Sequence, residues 1–169
     1  MKSKIVLILV MVLSGCDNNK DFFGFKLGQS VDSVITEKMI KKKEVISSKK
    51  DLVFIDLNSV PSPYKTDGRY FIQAVDGKIV SVNATFFDES SFSEMVTQAE
   101  RLLGKPIASN YGVIDDKAVG DSIFGCVKKK DCPSDEYFVY RKDNVNALIG
   151  KTITGVSVNY TIDEIKKSF

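Results

Sequence analysis

A short apolar run at the N-terminus decides where the folded part of this chain can begin. Residues 5–13 form an unbroken run of nine apolar residues, and Lys2 and Lys4 precede it. At about 1.5 Å per residue such a helix spans about 14 Å, roughly half of a ~30 Å hydrocarbon core. A basic start before a short apolar run is typical of a signal peptide. The fold is therefore expected to form from the residues that follow.

The apolar run ends in Leu13-Ser14-Gly15-Cys16. This sequence resembles the lipobox of bacterial lipoproteins, in which two small residues precede the cysteine that is lipidated. The resemblance implies cleavage between Gly15 and Cys16, diacylglycerol on the Cys16 sulfur, and acylation (for example by palmitate) of the new amino group. Two alternatives are an ordinary secretory signal with Cys16 nearby, and a buried hydrophobic segment.

The residues after Cys16 predict a short tether to the lipid bilayer. Asp17 resembles the inner-membrane retention signal of enterobacterial lipoproteins, which favours the inner over the outer membrane; the alternative is a merely polar linker. Residues 17–21 reach at most about 17 Å. We therefore divide the chain into a signal peptide (1–15), a lipidated cysteine with its tether (16–21) and one globular domain (22–169), anchored in the cell envelope and facing the periplasm.

Composition excludes several kinds of chemistry. The chain has no histidine, which removes Ser–His–Asp and Cys–His nucleophile systems and the commonest zinc ligand. Without Lys2 and Lys4, the chain has 22 basic and 22 acidic residues. It therefore has no surplus of positive charge with which to bind nucleic acid. We predict no catalytic residue, no metal and no cofactor. A hydrolase that uses two carboxylates is the weakest alternative, since no pair stands out among the acidic residues.

The order of predicted elements indicates an α+β fold with an antiparallel sheet and two main helices. The first helix covers residues 31–39, after a possible N-cap at Ser30, and its apolar side chains recur at helical spacing. A strand at 52–57 and a hairpin at 70–87 follow, and Asp76-Gly77 is a typical two-residue hairpin turn. Ser91 or Ser93 can cap the second helix, which Gly104 and Pro106 end.

The last third predicts strands near 122–127, 137–141, 146–149 and 152–161, with a short terminal helix at 163–167. Two helix-then-strands units suggest a tandem arrangement. The chain weakly resembles small envelope modules such as the small lipoprotein of the β-barrel assembly machinery and the β-lactamase inhibitor protein. The resemblance rests on Leu27-Gly28-x-Ser30 and Leu103-Gly104-Lys105-Pro106, and it implies a fold but no functional residue.

Two further features of the sequence allow alternative interpretations. Phe22, Phe23 and Phe25 favour an apolar first strand or part of the core over contact with the membrane interface. The clusters Lys41–Lys43 and Lys49–Lys50 favour a solvated helix end and loop, over contact with anionic headgroups.

Cys126 and Cys132 are the cysteines that remain after lipidation. An even pair in an exported protein predicts one disulfide; the alternative is two free thiols. The disulfide would hold the loop that carries Lys128, Lys129 and Lys130. Because a rigid exposed loop loses little entropy on binding, this loop is the candidate partner-binding element.

These observations predict a non-enzymatic envelope lipoprotein that binds another envelope protein. The alternative is an inhibitor or immunity protein that blocks a toxin or a cell-wall enzyme, because tethering would place it where an incoming toxin acts.

Overall fold

The computed structural model describes residues 20–47, 51–61, 64, 67–129 and 131–163. Within them, nine strands form one antiparallel sheet in the order β1-β2-β3-β4-β9-β8-β7-β5-β6. The strands are β1 Ile40–Ser47, β2 Leu52–Leu57, β3 Arg69–Val75, β4 Lys78–Phe86, β5 Ala108–Ser109, β6 Gly112–Val113, β7 Glu136–Lys142, β8 Val145–Thr152 and β9 Gly155–Ile162. The predicted α+β fold with an antiparallel sheet is confirmed.

The prediction of two main helices is wrong. The described residues contain one long helix, α1 Ser91–Leu103, and two short ones, α2 Asp116–Asp121 and α3 Gly125–Lys129. The predicted helix over 31–39 is replaced by two 3₁₀ turns, Val31–Ser33 and Glu37–Met39. β-Branched residues lower helix propensity there, and the backbone N–H of Val31 donates to the Gly77 carbonyl in the β3–β4 turn at 2.9 Å.

The predicted strands agree with the structure except at one position. The hairpin around Asp76-Gly77 is β3–β4, and both turn residues have positive φ angles. The strand predicted over 122–127 is wrong, because the chain turns from α2 into α3 there. Cys126 and Cys132 are disulfide-bonded with Cα atoms 4.7 Å apart, whereas six extended residues would separate them by about 20 Å. The terminal helix predicted over 163–167 falls mostly outside the described residues.

The large core lies between α1 and one face of the sheet. Phe22, Phe23 and Phe25 are buried in it, so they belong to the core as expected and do not reach a membrane interface. Asp88, just before α1, accepts hydrogen bonds from the Ser91 backbone N–H at 2.9 Å and the Ser91 hydroxyl at 2.7 Å. This carboxylate, rather than Ser91 or Ser93, therefore caps the helix.

Two tyrosines lie at the centre of the large core. Tyr140 on β7 and Tyr160 on β9 both pair with Ala147 of β8, and both side chains are fully buried. Neither hydroxyl has a hydrogen-bond partner among the described residues. Burial raises the pKa of both tyrosines well above the ordinary value, and it raises the pKa of Tyr70 to about 12. All three are therefore neutral at physiological pH.

A second, small cluster lies on the opposite face of the sheet. Val139 on β7 belongs to it, whereas its neighbour Tyr140 belongs to the large core, and successive strand residues point to opposite faces. The disulfide-bonded cysteines pack against the small cluster. The buried members of this cluster are Ile107, Ala108, Val119, Val127, Tyr137 and Val139. The short helices α2 and α3 thus cover only a corner of this face.

The two ends of the sheet differ in the turns that they carry. Lys20, the first described residue, forms an ion pair at 3.3 Å with Asp143 in the β7–β8 turn. The chain therefore enters the fold at the end of the sheet that holds the β7–β8 and β3–β4 turns. We call this the proximal end. The opposite, distal end holds the C-terminus of β4 and the β8–β9 turn, since Phe86 pairs with Val156 and Thr152 pairs with Gly155.

Candidate protein-binding surface

The loop closed by the Cys126–Cys132 disulfide has a defined backbone. The predicted disulfide is present, with an S–S distance of 2.07 Å, and the first half of the loop is helix α3. The backbone N–H of Asp131 donates to the Cys126 carbonyl at 3.1 Å. The loop is therefore held by a covalent bond and by main-chain hydrogen bonds.

The predicted lysines of this loop differ in availability. Lys128 donates from its ammonium group to the Gly120 carbonyl at the end of α2, at 2.9 Å. Lys129 is exposed, and Lys130 lies outside the described residues. In the part that the structure describes, Lys128 and Lys129 are therefore both exposed, and Lys128 also links the loop to α2.

The β5–β6 hairpin lies beside the disulfide-closed loop 126–132, which we call the stapled loop. Its two-residue turn contains Tyr111, whose side chain is 82% exposed. A cavity of about 410 Å³ separates this hairpin from the loop, and its lining includes Tyr111, Val127, Cys132 and Tyr137. An exposed aromatic ring beside a partly apolar cavity is a typical arrangement at protein interfaces.

A second exposed apolar pair lies further along the same end. Phe87 follows β4 and is 61% exposed, and Ile153 in the β8–β9 turn is 89% exposed. Gly155 lies against the backbone of Phe87, which brings the two segments together. The guanidinium carbon of Arg69 lies 5.4 Å from the centre of the Phe87 ring, which is a cation–π distance.

Strand register brings these groups to the distal end. The β7 residue Glu136 pairs with Lys151 just before the β8–β9 turn, and the backbone N–H of Asp135 donates to the Lys151 carbonyl. The stapled loop therefore runs into the strand end next to Ile153. We call the combination the distal surface: Arg69, Phe87, Tyr111, Ile153 and the loop 126–132.

A further cavity lies elsewhere, under α1. It has a volume of about 520 Å³, and its apolar floor includes Phe23, Tyr70 and Phe86. Glu94 is the one carboxylate in its described lining. The second carboxylate that a hydrolytic site of this kind uses is not among the described residues of this lining.

The predicted cleavage and lipidation site lies outside the described residues. Gly15, Cys16 and Asp17 precede the first described residue. In the described part of the chain, no helix is long and apolar enough to cross a membrane. The same residues contain no group of three or more His, Cys, Asp or Glu side chains that could hold a metal ion.

The exposed apolar residues of the distal surface were not predicted from the sequence. A usable signal exists, because Tyr111 and Ile153 are large apolar residues inside turn sequences, Asn-Tyr-Gly and Thr-Ile-Thr-Gly. Turn residues are normally polar or small. An apolar residue in such a turn therefore indicates a contact residue, although it does not indicate which turns lie side by side.

Comparison with known proteins adds no assignment, since no family model, no curated protein and no solved structure matches this chain.

Proposed function

We propose that this protein is a lipid-anchored component of the bacterial cell envelope that binds another envelope protein through its distal surface, without catalysis. One observation carries the proposal. Ile153 and Tyr111 are the two most exposed large apolar side chains among the described residues, and both lie at the end of the sheet opposite to the entry of the chain.

The lipobox supplies the orientation in this proposal. A lipid on Cys16 places the membrane near Lys20, because four residues reach at most about 14 Å. The proximal end then faces the bilayer and the distal surface faces the periplasm. Asp17 favours the inner membrane as the site of anchoring.

The chemistry of the distal surface suits a protein partner. Tyr and Arg residues are enriched among those that contribute most to binding energy, and Tyr111 and Arg69 are of these types. Phe87 and Ile153 are exposed apolar side chains on neighbouring segments, and exposed apolar patches mark interaction sites. The disulfide lowers the entropy that the loop loses when it is bound.

Site-specific photocrosslinking in cells tests the proposal. A photoreactive residue at Tyr111 or at Ile153 should capture the same protein, which mass spectrometry identifies. The matched control is Thr97, an exposed residue on α1, which should capture nothing reproducible. With the photoreactive residue at the exposed Lys129 of the same surface, Tyr111→Ser combined with Ile153→Ser should weaken capture at least tenfold, since loss of about 1.4 kcal/mol corresponds to that factor. Failure of both distal positions to capture a protein would contradict the proposal.

The inhibitor or immunity function is the second candidate, and the rigid stapled loop favours it because inhibitors insert preorganised loops. The identity of the captured protein separates the two. A toxin or a cell-wall enzyme supports inhibition, and purified protein should then reduce the activity of that enzyme. An envelope protein without such activity supports the binding module alone.

The tandem arrangement is also part of the proposal. β4 and β9, the last strands of the two halves, pair at the centre of the sheet, and the strand order runs outward from them. Residues 1–88 and 89–169, produced as separate chains, should therefore assemble into a complex. Two chains that remain apart would argue against two units.

A further inference from the structure

We infer that the sheet face opposite α1 binds a glycan strand of the bacterial cell wall, whose sugars carry acetamido groups. The inference goes beyond the protein partner of the distal surface, and it rests on the envelope location proposed above, which brings the chain within reach of such strands. The site is a shallow cleft that crosses five strands. We call it the open-face cleft, and the residues that carry the argument are Phe54, Phe71, Gln73, Asn83, Thr85 and Asn159.

Strand register places the side chains of the cleft on one surface. Phe71 pairs with Asn83, and Asn83 pairs with Asn159, so the three residues form one cross-strand row. Their chain neighbours Ile72 and Val82 belong to the large core, and successive strand residues point to opposite faces. The row therefore lies on the face away from α1. The small cluster under α2 and α3 occupies this face at β5 and β7, beyond the cleft.

The shape of the cleft suits a segment of a polymer. It has a volume of about 370 Å³ and reaches from Phe54 on β2 to Leu148 on β8. These strands are four steps apart in the sheet order, which corresponds to about 19 Å at about 4.8 Å per step. A small-molecule site encloses most of its ligand, whereas this cleft is long and shallow. Several sugar rings in a row can lie along it.

The lining of the cleft carries no charged side chain, although 27% of the chain is charged. The charged residues that pair with lining residues are Glu44, Asp56 and Arg69. The two carboxylates form ion pairs with lysines of β1, and the guanidinium of Arg69 lies over the ring of Phe87. The cleft therefore suits an uncharged ligand. It also lacks Arg, Tyr and Trp, the residue types that contribute most at protein interfaces.

The polar groups of the cleft are only partly satisfied by the protein. The Asn83 amide donates to the Ser81 hydroxyl at 3.0 Å and accepts from the Asn159 amide. The carboxamide oxygen of Asn159 is covered and has no partner among the described residues. The side chains of Gln73 and Thr85 make no hydrogen bond within the same part of the chain. A covered acceptor without a donor is costly, and rotation about the broad terminal torsion of the amide would turn it towards a ligand.

An acetamido sugar matches this combination of groups. Its hydroxyls and its acetamido group donate and accept hydrogen bonds, as the amides of Asn and Gln do. The rings of Phe54 and Phe71 are stacked with centroids 5.5 Å apart, and they offer an apolar surface to the acetyl methyl group and the C–H groups of a sugar ring. A lipid chain would instead leave the amides without partners.

Sedimentation with purified cell-wall sacculi tests the inference. The full-length lipidated protein, kept in a detergent without a sugar headgroup, should pellet with sacculi from which bound proteins have been stripped. A tetramer of N-acetylglucosamine should displace more than half of it. The corresponding glucose tetramer, which lacks acetamido groups, should displace little. Absence of pelleting, or equal displacement by the two tetramers, would overturn the inference.

Paired variants locate the binding site. Gln73→Ala combined with Asn83→Ala should weaken binding of the N-acetylglucosamine tetramer at least tenfold, measured by titration calorimetry on the full-length protein. The matched control is Ser93→Ala with Thr97→Ala, which removes two hydroxyls from the cavity under α1 on the other face. The control should bind as tightly as the unchanged protein. Equal losses in the two double variants would contradict binding in the open-face cleft.

Tryptophan fluorescence gives a test that keeps the aromatic surface intact, because the chain contains no tryptophan. In Phe71→Trp the probe lies in the cleft, and its emission should shift when the N-acetylglucosamine tetramer is added. In Phe87→Trp the probe lies on the distal surface, and its emission should not change. A response of the Phe87→Trp variant alone would place the glycan on the distal surface and would overturn the inference.

Photocrosslinking in cells separates this inference from the proposed function. If the purified protein binds neither sacculi nor the tetramer while Tyr111 and Ile153 still capture a partner, the inference fails and the proposed function stands. Glycan binding without capture at those two positions has the opposite meaning. A photoreactive residue at Gln73 that captures a protein, with no glycan binding, would assign the open-face cleft to a protein and overturn the inference.

Discussion

The two apolar clusters of this protein are built on the same sheet but are stabilised differently. The large core combines α1, the N-terminal phenylalanines and most strands, and it holds more than twenty buried residues. The small cluster has six buried residues under two short helices, and the Cys126–Cys132 disulfide packs against it. The difference indicates that α1 is held on its layer mainly by apolar burial, whereas the α2–α3 corner buries few apolar residues and is also held by a covalent bond.

The largest effect should come from a cavity in the large core. Phe86 is fully buried and contacts the rings of Phe23 and Tyr70. Phe86→Ala should lower the free energy of unfolding by about 3–5 kcal/mol, measured by denaturant titration. The neighbouring, exposed Phe87 is the control, and Phe87→Ala should change stability by less than about 1 kcal/mol. Similar losses for the two variants would mean that the large core does not depend on burial.

Alkaline pH should also act on the large core. Burial raises the pKa of Tyr140 and Tyr160 in the folded state, whereas unfolded tyrosine ionises near pH 10. Their contribution is complete below pH 10 and is lost as the pH rises, because only the unfolded state releases the protons. By pH 11 the loss should reach about 3 kcal/mol for the two together.

The measurement for this pH dependence is denaturant unfolding between pH 8 and pH 11. The double variant Tyr140→Phe and Tyr160→Phe serves as the control, since it cannot ionise at these positions. It should lose much less stability over this range. An equal loss in the variant would assign the alkaline effect to other groups.

Removal of the disulfide should affect the small cluster. Cys126→Ser with Cys132→Ser releases a loop of about seven residues, for which loop entropy predicts about 2.4 kcal/mol. Hydrogen exchange should accelerate at Val127 and Ile107 while β3 and β4 remain protected. Acceleration that is uniform over both clusters would show that they unfold as one unit and would remove the distinction.

The smallest effects should come from the two helix caps. Asp88 caps α1, and Asp115 caps α2 by accepting from the Ala118 N–H at 2.9 Å. Replacement of either by Ala should cost about 1 kcal/mol, seen as a lower melting temperature. Asp88→Ala should increase exchange in α1, and Asp115→Ala only in the α2–α3 corner. A global response to Asp115→Ala would not fit a separately stabilised corner.

The sequence predicted those elements whose signals are local. Asp76-Gly77 determined the β3–β4 hairpin, and Gly104 with Pro106 marked the end of α1. Strand β1 was missed because an edge strand needs no apolar face. Its lysines were interpreted as a solvated helix end. The helix predicted over 31–39 is wrong because a single turn is enough to place Val31 and Ile35 on the same side of the chain. Both side chains are buried without a longer helix.

The candidate site was predicted only in part. The disulfide was predicted from the expected export and from the even number of cysteines left after the predicted lipidation, and this reasoning does not depend on the fold. The rest of the distal surface is assembled from Arg69, Phe87, Tyr111 and Ile153, which belong to separate segments. Strand register brings these segments together, and register depends on long-range pairing that no short segment of sequence encodes.

The edges of the sheet have a consequence for how densely such molecules can be packed. β1 carries three successive lysines, and β6 at the other edge has only two residues. Both features discourage a further strand from pairing. If the proposed lipid anchor restricts the molecules to a membrane plane, they meet more often than free molecules do, and open sheet edges would then favour pairing between copies. These edges instead repel or fail to template a neighbour, so crowded copies should stay separate and keep their outward surfaces available.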